Sequence, residues 1–284
     1  MFRCLSPGAI GIGATLQEGL DLAARSGFQG LEVNIGELAD LIDKTSADDV
    51  KALFEKAGIR PGGWGPPTNW RTDEATLTAD LKKLPRLASA AQQIGCTRAS
   101  TWLLPGSDEL AFTENFARHK ARLSPFASIL GEYGSSFGLE FIGPKTMRSQ
   151  FKHEFIYTMD GMLELAAACG PNVGLLLDCW HWYTSGGTVA DLGRLKPENV
   201  VYVHVNDAPS GVALDEQIDS VRRLPGATGV IDIVGFLQAL RAIGYDGPIT
   251  PEPFVPELGQ MPAATAARVV GEAMAKVWNA AGLA

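Results

Sequence analysis

The sequence predicts a closed (β/α)8 barrel, a single α/β domain spanning residues 1–284. Three observations predict it. Helical segments that end in glycine run at once into apolar segments, and a helix stop followed directly by a strand is the mark of βα units. The apolar segments that read as strands number eight, centred near Ile10, Val33, Gly63, Ser100, Glu140, Leu176, Val203 and Thr250. The length of 284 residues suits one barrel, typically ~250 residues, better than two average domains. A doubly wound open sheet is the alternative. It would carry a glycine-rich nucleotide loop after its first strand, and GAIGIGA does not fit GxGxxG.

In chain order, the first strand falls on the apolar run around Ile10. Thr15 with Glu18 then forms a capping box that starts the first helix. Leu16, Leu20 and Ala23 recur at helical spacing, and Gly27 stops the helix ahead of a second strand in GLEVNI. Ser46 caps a helix in which Val50, Leu53 and Phe54 share a face, up to Gly58 and the third strand. Gly95 separates a helix from the fourth strand, which ends in Trp102. Gly134 precedes GLEFIGP, Gly170 precedes VGLLLD, and Gly244 precedes PIT. Asp232 caps the helix before the last strand, and a final helix covers roughly Pro262 to Ala281.

Hydrophobic residues make up 46% of the chain, enough for a core without disulfides or a structural metal. The net charge of -8 and a pI near 5.1 argue against a binder of phosphate backbones, which presents a basic face. They suit an enzyme acting on a neutral or weakly charged small molecule. Cys4, Cys96, Cys169 and Cys179 form no CxxC pair and read as reduced, packed thiols. MFRCLSPGAIGIGA lacks the long apolar region of a secretion signal, and no apolar stretch reaches the ~20 residues that cross a bilayer. A cytoplasmic location is expected, with neither membrane nor nucleic acid as partner.

Four apolar runs end in a residue that a buried strand disfavours: Glu140 in GLEFIGP, Asp178 in VGLLLDCWHW, His204 in VVYVHVND and Glu252 in PITPEPF. An ionised carboxylate is very costly to bury without a partner. One divalent metal ion serves three carboxylates and an imidazole together. Alternation along the strands supports this. Val201, Val203 and Val205 face the helices and leave Tyr202, His204 and Asn206 inside. Leu31, Val33 and Ile35 likewise leave Glu32 and Asn34 inside. Gly138, Glu140 and Ile142 share a face, as do Leu176 with Asp178 and Thr250 with Glu252. The four ligand candidates therefore lie inside the barrel at the carboxyl ends of strands five to eight, where barrel enzymes carry their chemistry. An oxygen-rich donor set favours Mn, Mg or Co, with Zn admissible.

GFQGLEVNI, GLEFIGP, LLLDCWH, VHVNDAP, RRLPGATGVIDI and GYDGPITPEPF occur in an order and spacing that resemble the xylose isomerase-like TIM-barrel superfamily, in its branch of sugar-phosphate isomerases and epimerases. The likeness spans most of the chain. It implies that Glu140, Asp178, His204 and Glu252 occupy metal-ligand positions. It implies that His181 in DCWH and Asp207 in HVND belong to the substrate pocket, and that Glu32 is an inward acidic residue of strand two. Lys145, just after strand five, stands where some epimerases carry a polar substrate contact. RRLPGATG departs from the PGEG or PGxG of many relatives, with Ala227 and Thr228 replacing the acidic option. Arg222 or Arg223 is left to reach the pocket, and Arg223 is taken as the substrate contact.

A metal on the carbonyl and adjacent hydroxyl of a keto-sugar eases removal of the neighbouring carbon-bound proton. Glu140 and Glu252 flank such a substrate and exchange that proton through an enediolate. The expected function is a divalent-metal-dependent isomerase or epimerase of a keto-sugar or related polyol. A non-phosphorylated substrate is favoured, because the chain has no strong phosphate cradle. Trp102 and Trp64, at the ends of strands four and three, offer an apolar wall for a sugar face, or else pack the rim. His181 alternatively caps an aromatic cluster in WHWY. His119 in FARHKAR is expected to face solvent, and His153 to lie in a loop. The alternatives are a metal-dependent lyase of the same fold (a keto-cyclitol dehydratase or a C-glycoside-cleaving enzyme) and a barrel that binds sugar without converting it. An abasic-site endonuclease of this fold would need several extra histidines, and the chain has four in all. Barrels of this kind often pair, which leaves a homo-oligomer open.

Overall fold

Among the described residues, ten strands order the chain: β1 (Phe2–Leu5), β2 (Gly30–Leu31), β3 (Arg60–Pro61), β4 (Arg98–Trp102), β5 (Gly106–Ser107), β6 (Ser136–Glu140), β7 (His153–Glu154), β8 (Val173–Asp178), β9 (Val200–Val205) and β10 (Pro248–Pro251). The structure, a computed structural model, describes residues 1–67 and 69–283. Eight of the strands are parallel staves in the order β3-β2-β1-β10-β9-β8-β6-β4. Trp64 closes the ring. Its N–H donates to the Arg98 carbonyl and its own carbonyl accepts from the Ser100 N–H, both at 3.1 Å. The short β5 and β7 pair antiparallel outside the barrel, so His153 sits in a strand rather than a loop.

Helices α1 (Leu16–Arg25), α2 (Ile35–Lys44), α3 (Ala47–Ala57), α4 (Glu74–Gln93), α5 (Phe112–Glu132), α6 (Lys145–Arg148), α7 (Met159–Cys169), α8 (Cys179–Thr184), α9 (Val189–Leu192), α10 (Ile233–Ala242) and α11 (Ala263–Ala280) connect the strands. Their starts follow local chemistry. The Thr15 N–H donates to Glu18 Oε2 at 2.8 Å while the Glu18 N–H donates to Thr15 Oγ1 at 3.4 Å. Ser46 and Asp232 accept from the amides of Asp49 and Gly235. Gly27, Gly58, Gly95, Gly134 and Gly244 end helices with φ between 66° and 84°. Gly170 does not: its φ of 166° is extended. No helix among the described residues is long and apolar enough to cross a membrane.

Three further expectations change. The first strand is Phe2–Leu5, and Ile10 lies in a 3-10 turn, Gly8–Ile10, that closes on Gly11 at φ 74°. Ile10 is buried there, so its apolarity serves the core without a strand. Asn34 points out of the barrel to cap α2, accepting from the amides of Gly36 and Glu37. The alternation in β9 fails at its start. The register between β8 and β9 shifts at Leu175 and Leu176, and Val201 Cβ lies 3.2 Å from the place a Cβ on the inward Gly138 would occupy. Val201 therefore leans inward, and the strict pattern begins at Tyr202.

The barrel floor is sized by glycine. A Cβ on Gly63 would meet the Tyr202 ring at 2.5 Å, and one on Gly62 would collide with Cys4 Sγ. Tyr202 fills the space that β3 leaves open, and its hydroxyl reaches Thr250 Oγ1 at 2.7 Å and Glu32 Oε2 at 2.9 Å.

Candidate metal centre

Four neighbouring staves deliver the expected ligands. Glu140 ends β6 and Asp178 ends β8. His204 is paired in register with both Asp178 and Thr250. Glu252 follows β10 and is held by its N–H to the Val205 carbonyl at 3.0 Å. One donor atom from each of Glu140, Asp178, His204 and Glu252 lies within 4.8 Å of the others. Two donors on opposite sides of an ion at ~2.1–2.4 Å stand ~4.2–4.8 Å apart, so the spread matches one shared ion.

Two orphaned atoms point the same way. Glu140 Oε1 and His204 Nδ1 are buried with no well-formed hydrogen bond among the described residues. They are 3.4 Å apart, and His204 Nδ1 is also 3.4 Å from Glu252 Oε2. Buried polar atoms are seldom left unpaired. A divalent cation fits this donor set, and its oxygen-rich character suits a hard or borderline metal.

Burial pushes the Glu140 carboxyl up to about 8, against the pull of His204. Burial acts the same way on Glu252, but the charges of His204 and Arg222 outweigh it and hold that carboxyl at about 2. Burial opposes charging of His204, yet Glu252 and Glu140 raise it well above the ordinary imidazole value.

Asp178 is oriented by three donors, which leaves one acceptor position of its carboxylate for an ion. Its Oδ1 accepts from the Trp180 N–H at 2.9 Å and Asn206 Nδ2 at 3.0 Å, and its Oδ2 from Arg222 at 2.7 Å. Arg222 is 2% exposed and is the arginine that reaches the site. One of its nitrogens serves both Asp178 and Glu252 Oε2, the latter at 2.9 Å; another donates to Asp219 Oδ1 at 2.8 Å. Its guanidinium lies 4.3 Å from the centroid of the Phe254 ring. Phe254 is the only non-glycine residue with positive φ among the described residues, at 43°. Such backbone costs ~1–3 kcal/mol and clusters at functional sites.

The remaining expected residues divide. Glu32 and Trp102 line a cavity of about 300 Å3 together with Glu140, His204, Glu252 and Phe254. Trp102 is 43% exposed, with the Arg71 guanidinium stacked 4.0 Å from its ring. Arg223, taken as a substrate contact, is instead exposed. Its backbone pairs with Asp207, and successive residues of such a bridge point opposite ways, which turns Arg222 inward. Asp207 is buried away from the cleft and accepts four amides, those of Ala208, Thr228, Gly229 and Ile231. It shapes the loop carrying the PGATG segment. Lys145 pairs with Asp215 at 2.6 Å on the surface, outside the cavity lining.

His181 is 1% exposed. Its Nδ1 accepts from the Gly143 N–H at 3.2 Å, so the neutral ring carries its proton on Nε2. Nε2 is 3.3 Å from Arg222 and 3.8 Å from Asp219. His181 thus backs Arg222 rather than the cleft. Trp64 is buried and donates its indole N–H to the Cys96 carbonyl. His119, expected on the solvent face, is buried and stacks on Phe155 with ring centroids 4.7 Å apart.

The barrel and the donor cluster at its carboxyl mouth define a barrel protein with a metal-type centre. A model of the xylose isomerase-like TIM barrel family matches residues 20–276, and the chain belongs to that family. Inosose isomerase of Halalkalibacterium halodurans is 24% identical over 271 residues, which cover 93% of this chain and 92% of that one. A xylose isomerase domain protein from Alicyclobacillus acidocaldarius superposes with a TM-score of 0.85 at 30% identity over 99% of both chains. The IolI protein with a bound zinc atom superposes with a TM-score of 0.78 at 21% identity over 98% of both.

Proposed function

We propose that this chain is a divalent-metal-dependent isomerase or epimerase acting on a keto-sugar or related polyol. The observation that carries the reading is the convergence of Glu140, Asp178, His204 and Glu252 on one point beneath a cleft of about 300 Å3. The similarity to an inosose isomerase along nearly the whole chain supports it. Mn, Mg or Co is the favoured ion, and the zinc bound by the IolI protein keeps Zn admissible.

A divalent ion in this donor set would supply Lewis-acid polarisation of a carbonyl and its neighbouring hydroxyl. The protein's own residues do the rest. Glu140 and Glu252 approach from β6 and β10, so one takes the proton from the carbon beside the carbonyl and the other returns it. Arg222 fixes the Glu252 carboxylate and stays charged in doing so: burial opposes, but Asp178 and Glu252 raise it further above its ordinary value. Asp219 holds Arg222 from behind by accepting at Oδ1, and His181 packs beside them. Trp102 covers one wall of the cleft and offers an apolar face to a sugar ring.

Glu252→Gln should abolish exchange of the substrate's carbon-bound proton with deuterated solvent, a loss of ~100-fold or more for an acid–base group. Exchange at the wild-type rate would reject the role. Product analysis separates the neighbouring chemistry, since release of water or of an aglycone would mark a lyase.

A further inference from the structure

The cleft over the metal centre has a second lobe. A cavity of about 480 Å3 opens between the ends of β1 and β2, lined by Ser6, Gly8, Glu32, Asn34, Ile35 and Gly65 among others. Ser6, Gly8, Glu32 and Gly65 also line the cavity that holds Glu140, His204 and Glu252. The two lobes therefore meet at the Glu32 carboxylate.

That carboxylate is held by one residue just past β1 and one within β9. Ser6 Oγ donates to Oε1 at 3.1 Å, and the Tyr202 hydroxyl donates to Oε2 at 2.9 Å. Tyr202 is itself fixed by Thr250 and stands edge-on to His204, with ring centroids 5.5 Å apart. A carboxylate has about four acceptor positions, and these hydroxyls use two. The rest are free for a donor entering the cleft.

The surroundings select which donor. Among the described residues, the second lobe is lined by no lysine, arginine or histidine, and Glu32 is its one charged side chain. The first lobe adds His204, which already stands between Glu140 and Glu252. The N-terminus of α2 opens on the second lobe, but Asn34 Oδ1 already takes the amides of Gly36 and Glu37 at 3.1 and 3.2 Å. Glu37, in the same turn, accepts from the Leu16 N–H at 2.9 Å. A phosphate placed in the second lobe would meet the Glu32 carboxylate with no lysine, arginine or histidine in the described lining of that lobe to offset its charge.

We propose that Glu32 determines substrate class: it reads a hydroxyl of a non-phosphorylated, hydroxyl-rich substrate that extends from the metal centre into the second lobe, and it turns away the phosphate ester. This inference rests on the sugar or polyol reading of the centre. Calorimetric titration of Mn2+-loaded protein with myo-inositol and with myo-inositol 1-phosphate tests it. Wild type should bind the free polyol about ten-fold or more tighter than the phosphate. Glu32→Ala should weaken free-polyol binding by about ten-fold, and the isosteric Glu32→Gln should narrow the gap between the two probes. Titration of each variant with Mn2+ alone checks that the centre is formed. Equal or tighter binding of the phosphate to wild type, no heat from either probe, or unchanged polyol affinity in both variants overturns the proposal. Solvent-proton exchange into keto-sugars is measured separately. Exchange without discrimination at Glu32 removes this inference and keeps the isomerase reading, and discrimination without exchange does the reverse.

Discussion

Arg222 carries the electrostatics of the barrel mouth. It donates to Asp178 at 2.7 Å and to Glu252 at 2.9 Å from a position 2% exposed. Removing one partner of a buried ion pair costs ~3–5 kcal/mol, because the other charge stays buried alone. Arg222→Met keeps the volume and removes the charge. In chelator-treated protein it should lower unfolding stability by about that amount, read from urea midpoints, and a change under ~1 kcal/mol would show that the pairing is not needed. His119 carries a prediction of opposite chemistry. Burial lowers its pKa from 6.5 to about 4. The folded state thus prefers the neutral ring, while the unfolded chain binds a proton below pH 6.5. Stability from this residue is complete above pH 6.5 and is lost as pH falls towards 4, by up to ~3 kcal/mol. His119→Phe keeps the stacking on Phe155 and removes the titration. The stability difference between wild type and variant should shift across that window, and a difference flat with pH would refute the argument.

At the scale of elements, the barrel floor depends on where side chains are missing. A Cβ on Gly63 would stand 2.5 Å from Tyr202 and 2.9 Å from the Arg98 carbonyl, one of them backbone that cannot step aside. Gly63→Ala should cost ~1–3 kcal/mol by overpacking. Gly65→Ala, with nothing within 4 Å among the described residues, should change stability by less than ~0.5 kcal/mol. Equal effects in thermal unfolding would sink the account. The same elements explain what could be read from sequence. β6, β8, β9 and β10 are runs of four to six residues, nearly all buried, each leading to a polar residue, and that contrast between apolar run and acidic or imidazole end is visible without coordinates. β2 and β3 are two residues each, too short for any period, and β1 lay hidden ahead of a glycine-rich turn whose isoleucine mimics a strand. Arg222 was legible only as one of two arginines, because the bridge that turns one in and the other out pairs its neighbour Arg223 with Asp207 across fifteen residues of loop. Asp207 and Lys145 have the residue types of substrate contacts. Their commitment to loop amides and to a surface ion pair lies in contacts that no local pattern encodes.

For the molecule as a whole, a cluster this buried should link metal binding to folding. The unfolded chain scatters Glu140, Asp178, His204 and Glu252 along 113 positions of sequence, counted from 140 to 252 inclusive, so it offers no comparable site. The folded chain brings their donors within 4.8 Å of one another. A ligand that binds only the folded state stabilises it by RT ln(1 + [L]/Kd), ~2.7 kcal/mol at a hundred times Kd. One kcal/mol moves the midpoint by roughly 2–4 °C in a chain of about this size, so saturating metal should raise Tm by roughly 5–10 °C over chelator-treated protein. The rise should grow with the logarithm of metal concentration, and Glu140→Gln, which keeps the shape and removes a charged donor, should reduce it. This readout needs no substrate and holds whichever reaction the cleft performs. If Mn2+, Mg2+, Co2+ and Zn2+ all leave the melting curve of chelator-treated protein unmoved, the four side chains hold one another through Arg222 and His204 alone, and the barrel mouth is an ion-pair network without a metal.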